Sequence, residues 1–353
     1  MLVKKVRSNG VIRDLLFELV QIPGPSGFEG RVARRLVALL KDHVDEVSID
    51  KIGNVVALKR GTEGKHSLAI AAHMDQLSMA VIKVDDFVWF DRVGYLDFQS
   101  LYSQPVLILG REKDVPGVVC ATSAHFHAGE KQPLWIDVGD RQKYVSPGDP
   151  IIFDHPPRWL DDEKTILASP SIDDRIGCAA MVEAARSLKK RPRHNIYFIG
   201  SVQEEIGSFG IRYFLRDHAP DWLIAVDTCF AQDAVTDIKK LLPLRQGLGI
   251  LRFTFTRPDV CYPSVVNYSS DKLNDRLIAA GKTLGIPVPL CAVTGSFNDA
   301  CISNEVRPET EATYLLMARR YSHSPHEIVD INSGENAAKV LLQAIADSDK
   351  WQD

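Results

Sequence analysis

Ser67-Leu68-Ala69-Ile70-Ala71-Ala72-His73-Met74-Asp75 is an uncharged, mostly apolar run that stops on an imidazole and a carboxylate. Its apolar part, 67–72, is short and has no polar face, so it reads as a strand near the centre of a sheet. Two shorter strand-like segments, 47–49 and 54–58, precede it. They are separated by Lys51-Ile52-Gly53, and Gly61-Thr62-Glu63-Gly64 divides them from the central run. Farther upstream, apolar residues recur every three or four positions over 11–20 and 29–40, with Arg31, Arg34, Arg35 and Lys41 on the opposite side. These are two amphipathic helices, and Pro23-Gly24-Pro25-Ser26-Gly27 breaks the chain between them.

Downstream the pattern changes twice. Residues 81–82, 87–90, 106–109, 115–120, 135–138 and 151–153 are short strand-like pieces joined by turns, with no helical period. They predict a small all-β, barrel-like unit spanning 78–160. Helix and strand then alternate again: helix 174–188, strand 196–201, helix 208–216, strand 223–227, helix 271–284 and a closing helix 335–346. Strands spaced by helices imply a three-layer α/β/α domain, built here from 1–77 and 161–353, with the β-rich unit inserted.

Composition excludes several classes. In 353 residues, 42 Lys+Arg stand against 46 Asp+Glu, a formal net charge of −4, so no basic face is available for nucleic acid. No window approaches the roughly 20 apolar residues of a membrane-spanning helix. Residues 1–10 carry Lys4, Lys5 and Arg7 without an apolar stretch behind them, so secretion is not expected. Cys120, Cys178, Cys229, Cys261, Cys291 and Cys301 are scattered without a C-x-x-C pair, which reads as packing thiols in a reducing cytoplasm.

The chemistry lies where apolar strands end. His73-Met74-Asp75 follows 67–72, Glu204-Glu205 follows 197–202 and Asp227 follows 223–226. Ligands bind at the carboxyl ends of strands in open α/β sheets, because the loops converge there. Ser171-Ile172-Asp173-Asp174 and Ser322-His323-Ser324-Pro325-His326 add two further candidate segments. Taken singly, each has an ordinary explanation: a strand-end turn, a solvated Glu-Glu pair, a helix cap at Asp174, a surface histidine. Together they raise a charge problem, since carboxylates converging in a partly dry crevice are costly unless cations accompany them. Asp173, Glu204, Glu205 and Asp227 carry about four negative charges, which two divalent ions would neutralise. In His73-x-Asp75 alternate residues share a side, so Asp75 is placed to accept from the ring nitrogen of His73 that faces away from a metal.

The order His-x-Asp, Asp, Glu-Glu, Asp, His resembles that of co-catalytic zinc exopeptidases, and the local sequences resemble the M42 aminopeptidases over nearly the whole chain. That family includes glutamyl aminopeptidases and self-compartmentalising tetrahedral members. The resemblance implies that His73 and Asp227 hold one metal, Glu205 and His323 the other, and that Asp173 bridges them. It also implies Glu204 as catalytic base, Asp75 orienting His73, and two divalent ions, zinc with cobalt and manganese as alternatives. Peptide substrates follow from the same likeness, as does self-association into homo-oligomers, dodecamers included, through the inserted unit. Two departures bear on specificity. Gln76 and Ser78 stand where the family often has Glu and Gly, and Gly295-Ser296-Phe297-Asn298-Asp299-Ala300 replaces Gly-Gly-Thr-Asp-Ala. Asp299 is kept but its neighbours differ, and since the resemblance implies that this segment lies near the substrate's first side chain, Phe297, Asn298 and Asp299 are the candidate substrate-binding residues. The stretch 124–132, with His125 and His127, reads as a surface loop. A deacylase acting on a small non-peptide amide is the alternative activity, and an inactive scaffold is a third reading; retention of Glu204 beside every ligand speaks against the scaffold.

Overall fold

The computed structural model describes residues 11–120, 133–231, 242–245, 247–255 and 266–351. The chain opens with α1 (Val11–Leu19) and α2 (Gly30–Leu40), then β1 (Glu46–Ile49), β2 (Val55–Lys59) and β3 (Ser67–His73). Six strands follow: β4 (Ser78–Val84), β5 (Val88–Val93), β6 (Pro105–Leu109), β7 (Asp114–Cys120), β8 (Trp135–Asp137) and β9 (Pro150–Phe153). They close into a barrel in the order β4-β5-β8-β7-β6-β9 around Met79, Val81, Val88, Val106, Ile108 and Ile151. The chain continues through β10 (Arg158–Trp159), β11 (Ile166–Ser169), α3 (Ile172–Ser187), β12 (Asn195–Ser201), α4 (Phe209–Asp217), β13 (Trp222–Phe230), β14 (Leu248–Phe255) and β15 (Val266–Tyr268). It ends with α5 (Asp271–Leu284), β16 (Leu290–Thr294), α6 (Ser303–Val306), β17 (Glu311–Arg320), β18 (Glu327–Asp330) and α7 (Ile331–Asp347).

The larger sheet has twelve strands with a main path β1-β2-β12-β3-β13-β17-β18-β11-β10, and β3 sits inside it between β12 and β13. Successive residues of β3 face opposite cores: Leu68, Ile70 and Ala72 pack with α1, α2, α3, α5 and α7, whereas Ala69 and Ala71 pack with α4. That is the three-layer arrangement the alternation predicts, and it explains why the run is apolar without a period. β10 pairs with β11, so Arg158 and Trp159 already belong to the larger sheet rather than to the barrel. Strand β17 carries no expectation from the sequence, although it lies beside β13 and is buried along Ala312–Ala318. Cys178, Cys229, Cys291 and Cys301 are buried and Cys120 is partly exposed, all five free; Cys261 lies outside the described residues, as does the 124–132 stretch. No helix among the described residues is long and apolar enough to cross a membrane.

Candidate metal centre

β3, β12 and β13 run parallel, which delivers their carboxyl ends to one edge. Ser201 at the end of β12 is level with His73 at the end of β3, and the Met74 N–H bonds to the Ser201 carbonyl at 2.7 Å. The Glu204-Glu205 turn therefore folds directly over His73. Asp227 is not at a strand end, as the sequence reading has it: β13 continues to Phe230, because this strand is longer and pairs with β17 along its whole length. The side chain of Asp227 nevertheless reaches the same spot, 3.9 Å from His73 Nε2.

His73 Nδ1 lies 3.3 Å from Asp75 Oδ1. Asp75 is buried and also accepts from Ser26 Oγ at 2.7 Å and from the N–H groups of Glu204 (3.0 Å) and Glu205 (3.2 Å). Burial pushes its pKa up, but the adjacent imidazole of His73 and the bonds from Ser26 and the Glu204 N–H outweigh it and hold the carboxyl below its usual range. One carboxylate thus fixes both the ring of His73 and the backbone that aims the two glutamates.

Asp173, at the start of α3, faces two histidines with its two oxygens. Oδ1 is 3.2 Å from His73 Nε2 and accepts from Thr228 Oγ1 at 2.9 Å. Oδ2 is 3.6 Å from His323 Nε2. His323 Nε2 is also 3.7 Å from Glu205 Oε2, and its Nδ1 is 3.0 Å from the carbonyl of Tyr95, which lies between two barrel strands. Glu327 ties this side together, accepting the N–H of Asp173 (3.0 Å), the N–H of His323 (3.0 Å) and the guanidinium of Arg319. Arg319 Nη2 also meets Asp173 Oδ2 at 2.6 Å. Asp174 caps α3 as expected, accepting the Gly177 N–H at 3.0 Å, and a Cβ at Gly177 would run into that carboxylate.

The electrostatics are those of an anionic pocket. Burial, reinforced by Asp227, Glu205 and Asp299, pushes Glu204 well above its usual range. Burial and neighbouring aspartates do the same to Asp227 and Asp174, and burial with Asp173 pushes Glu205 up to about 7. Glu204 Oε1, Glu205 Oε1 and Asp174 Oδ2 are buried without a hydrogen-bond partner. Two overlapping groups bring potential ligand atoms within 4.8 Å of one another: His73 with Asp173 and Glu205, and His73 with Asp174 and Asp227. Buried carboxylate oxygens left without donors, beside imidazoles, form a donor set that suits divalent ions of mixed oxygen and nitrogen preference.

Comparison with known proteins agrees. The profile of the M42 peptidases, the M42 glutamyl aminopeptidase family, matches residues 53–340. The chain belongs to the M42 family. It is accordingly a peptidase of the aminopeptidase class. It is 30% identical over 95% of its length to 98% of the lysyl aminopeptidase of Pyrococcus furiosus. It also superimposes on an aminopeptidase from Desulfurococcus kamchatkensis with a TM-score of 0.86, at 27% identity, covering 94% of this chain and 93% of that one. A structure of the Pyrococcus horikoshii TET1 peptidase, described as assembling into a tetrahedron or a large octahedral shell, has a TM-score of 0.80 at 24% identity, over 94% of this chain and 98% of that one.

Within this M42 chain the candidate substrate residues sit unequally. Phe297 is partly buried and packs against the core on the α4 side. Asn298 turns inward to cap the Ala300 N–H at 3.1 Å, and buried Asp299 accepts from Ser201 Oγ. Sequence reasoning passes over four residues that the fold commits to the centre: Glu29, Thr228, Arg319 and Glu327. Arg319 gave the same signal as the acids, a charge at the end of the apolar run 314–318.

Glu29 is buried and accepts the N–H of Gly27 (2.8 Å) and of Gln203 (3.1 Å), the residue before Glu204, whose φ is +57°. Burial, then Asp75, pushes Glu29 from 4.5 to about 7. The folded state therefore holds this proton where the unfolded state has lost it, and the Glu29 contribution to stability falls as pH rises from about 4.5 to about 7. Glu29→Gln is expected to remove that loss: urea unfolding with chelator present should show the variant gaining about 1–3 kcal/mol on wild type between pH 5 and pH 8. A pH-independent difference would mean Glu29 is ionised throughout.

Proposed function

We propose that this M42 aminopeptidase removes the amino-terminal residue of peptides at a dinuclear centre that five side chains would hold, His73 and Asp227 on one side, Glu205 and His323 on the other, and Asp173 shared between them. The observation that carries the reading is Asp173 itself: its two oxygens face different imidazoles, at 3.2 and 3.6 Å, and each imidazole has a second carboxylate beside it. Asp174, close to His73 and Asp227, adds a further carboxyl group to the first side. Zinc is the ion we favour, and cobalt and manganese accept the same donors. When bound, a pair of divalent ions lowers the pKa of a water and polarises the scissile carbonyl.

Glu204 then acts as general base, its Oε2 3.9 Å from His73 Nε2 and its backbone held by Asp75. It takes the proton from the attacking water and returns it to the leaving amine as the C–N bond breaks. Asp75 keeps the ring of His73 oriented. Phe297 borders the substrate's first side chain, with Asn298 and Asp299 supporting that loop from behind. The barrel, 78–160 in the sequence reading and ending before Arg158 by sheet pairing, serves homo-oligomer assembly, a dodecamer being one form consistent with the shells described for the TET1 peptidase. The free, mostly buried thiols support work in the cytoplasm.

A panel of aminoacyl amides and their N-acetylated counterparts tests the activity. Metal-loaded protein is expected to hydrolyse the free-amino substrates at least about 100-fold faster in kcat/KM. Turnover confined to acylated substrates would replace the aminopeptidase with a deacylase.

A further inference from the structure

Arg319 is a buried guanidinium at a centre whose chemistry calls for divalent cations. It stands near the end of β17, 3% exposed, with Nη2 2.6 Å from Asp173 Oδ2 and Nη1 on Glu327. The two sides of the centre are consequently not equivalent. On the His73 side, Asp173 Oδ1 receives a hydroxyl from Thr228, a neutral donor, and Asp227 and Asp174 add two carboxyl groups. On the His323 side, Asp173 Oδ2 already carries a charge-assisted bond from a fixed cation, and Glu205 is the remaining carboxylate beside His323. A guanidinium keeps its charge at any working pH and is held here at a second point by Glu327, so swinging clear would break a buried ion pair.

We propose that Arg319 is a positioning residue that competes with a divalent ion for Asp173 Oδ2, and so sets how readily the His323 side fills while leaving the His73 side uncontested. The inference rests on the dinuclear reading above. It differs from a purely structural role in sign. A brace that merely held Asp173 in place would, when removed, weaken uptake on both sides; a competitor, when removed, tightens one.

The test is equilibrium dialysis of the full chain against graded free Zn²⁺, with ions per chain counted by mass spectrometry, for wild type, Arg319→Gln and Glu327→Gln. Wild type is expected to fill in two steps. Arg319→Gln should leave the first within about threefold and tighten the second by at least about tenfold, the scale of losing one nearby fixed charge. Glu327→Gln leaves Arg319 with Asp173 as the carboxylate it engages, and should weaken the second step by about threefold or more. If Arg319→Gln does not fold, Arg319→Met, which keeps the stem without the charge, takes its place with the same expected tightening, since Glu327 also accepts the N–H groups of Asp173 and His323 and its substitution cannot decide alone. A second step that is unchanged or weaker in Arg319→Gln, or unchanged in Glu327→Gln, overturns the assignment while two ions on wild type leave the dinuclear reading standing. No uptake by folded wild type overturns both.

Discussion

Replacing Glu204 with glutamine is expected to lower kcat by about 10²–10⁴-fold, the usual contribution of a positioned proton-transfer group, with KM and metal content little changed. The side chain keeps its volume and its Asp75-anchored backbone, since the bond to Asp75 Oδ1 runs from the main chain. What disappears is the basic oxygen. Glu204 is 7% exposed, and its Oε1 has no hydrogen-bond partner, so the substitution leaves no donor unsatisfied at that oxygen. Burial and three neighbouring carboxyl groups already penalise its charge, so neutralising it should not destabilise the fold. The measurement is steady-state hydrolysis of an aminoacyl amide alongside metal counting on the same samples. Wild-type turnover in a fully loaded Glu204→Gln would remove the proton shuttle from the mechanism, whereas loss of metal would make Glu204 a ligand.

Much of this candidate centre is visible in the sequence because His73, Glu204 and Glu205 follow apolar segments whose strand character is local. β3 and α2 declare themselves by composition and period, and so His73 can be placed at a strand end before any partner is known. Pairing across the sheet is what local pattern cannot supply. β17 has five consecutive buried apolar residues, 314–318, a length that suits strand and helix alike, and only its register with β13 decides. The role of Arg319 depends on that register, since the guanidinium meets Asp173 only once β17 lies beside β13 and α3 has started near its end. Asp227 shows the converse: its position inside β13 differs from the expectation, yet the side chain arrives because alternate residues of the strand share a face. Glu29 is hidden for another reason. It stands at the start of an amphipathic helix, where acids are common for capping, and its burial arises from the Gln203 turn folding over it.

Loading with divalent ions is expected to stabilise the protein by about 4 kcal/mol for each ion present at about a thousand times its dissociation constant, a rise in Tm on the order of 10 °C. The increment should grow with pH, because the ion-free fold holds protons that ligation removes. Without ions, the folded chain holds the Glu205 proton to about 7 against 4.5 when unfolded, so that contribution to stability declines as pH rises across this interval. His323, whose charge burial opposes but Glu205 and Asp173 favour, is pushed from 6.5 up to about 9; its contribution is complete below 6.5 and is lost as pH rises through 9. Glu204, Asp227 and Asp174, all raised, act in the same direction as Glu205. Asp173 and Asp75 are held low and matter only on the acid side. Donors that still hold a proton at neutral pH must shed it to serve as ligands, so loading should release protons and tighten as pH rises. Thermal unfolding with and without chelator at pH 5, 7 and 9 reads the first effect, and calorimetric titration in buffers of different ionisation enthalpy reads the second. An identical Tm increment at all three pH values, with no proton release, would mean that the ions bind somewhere other than this buried cluster of acids and imidazoles.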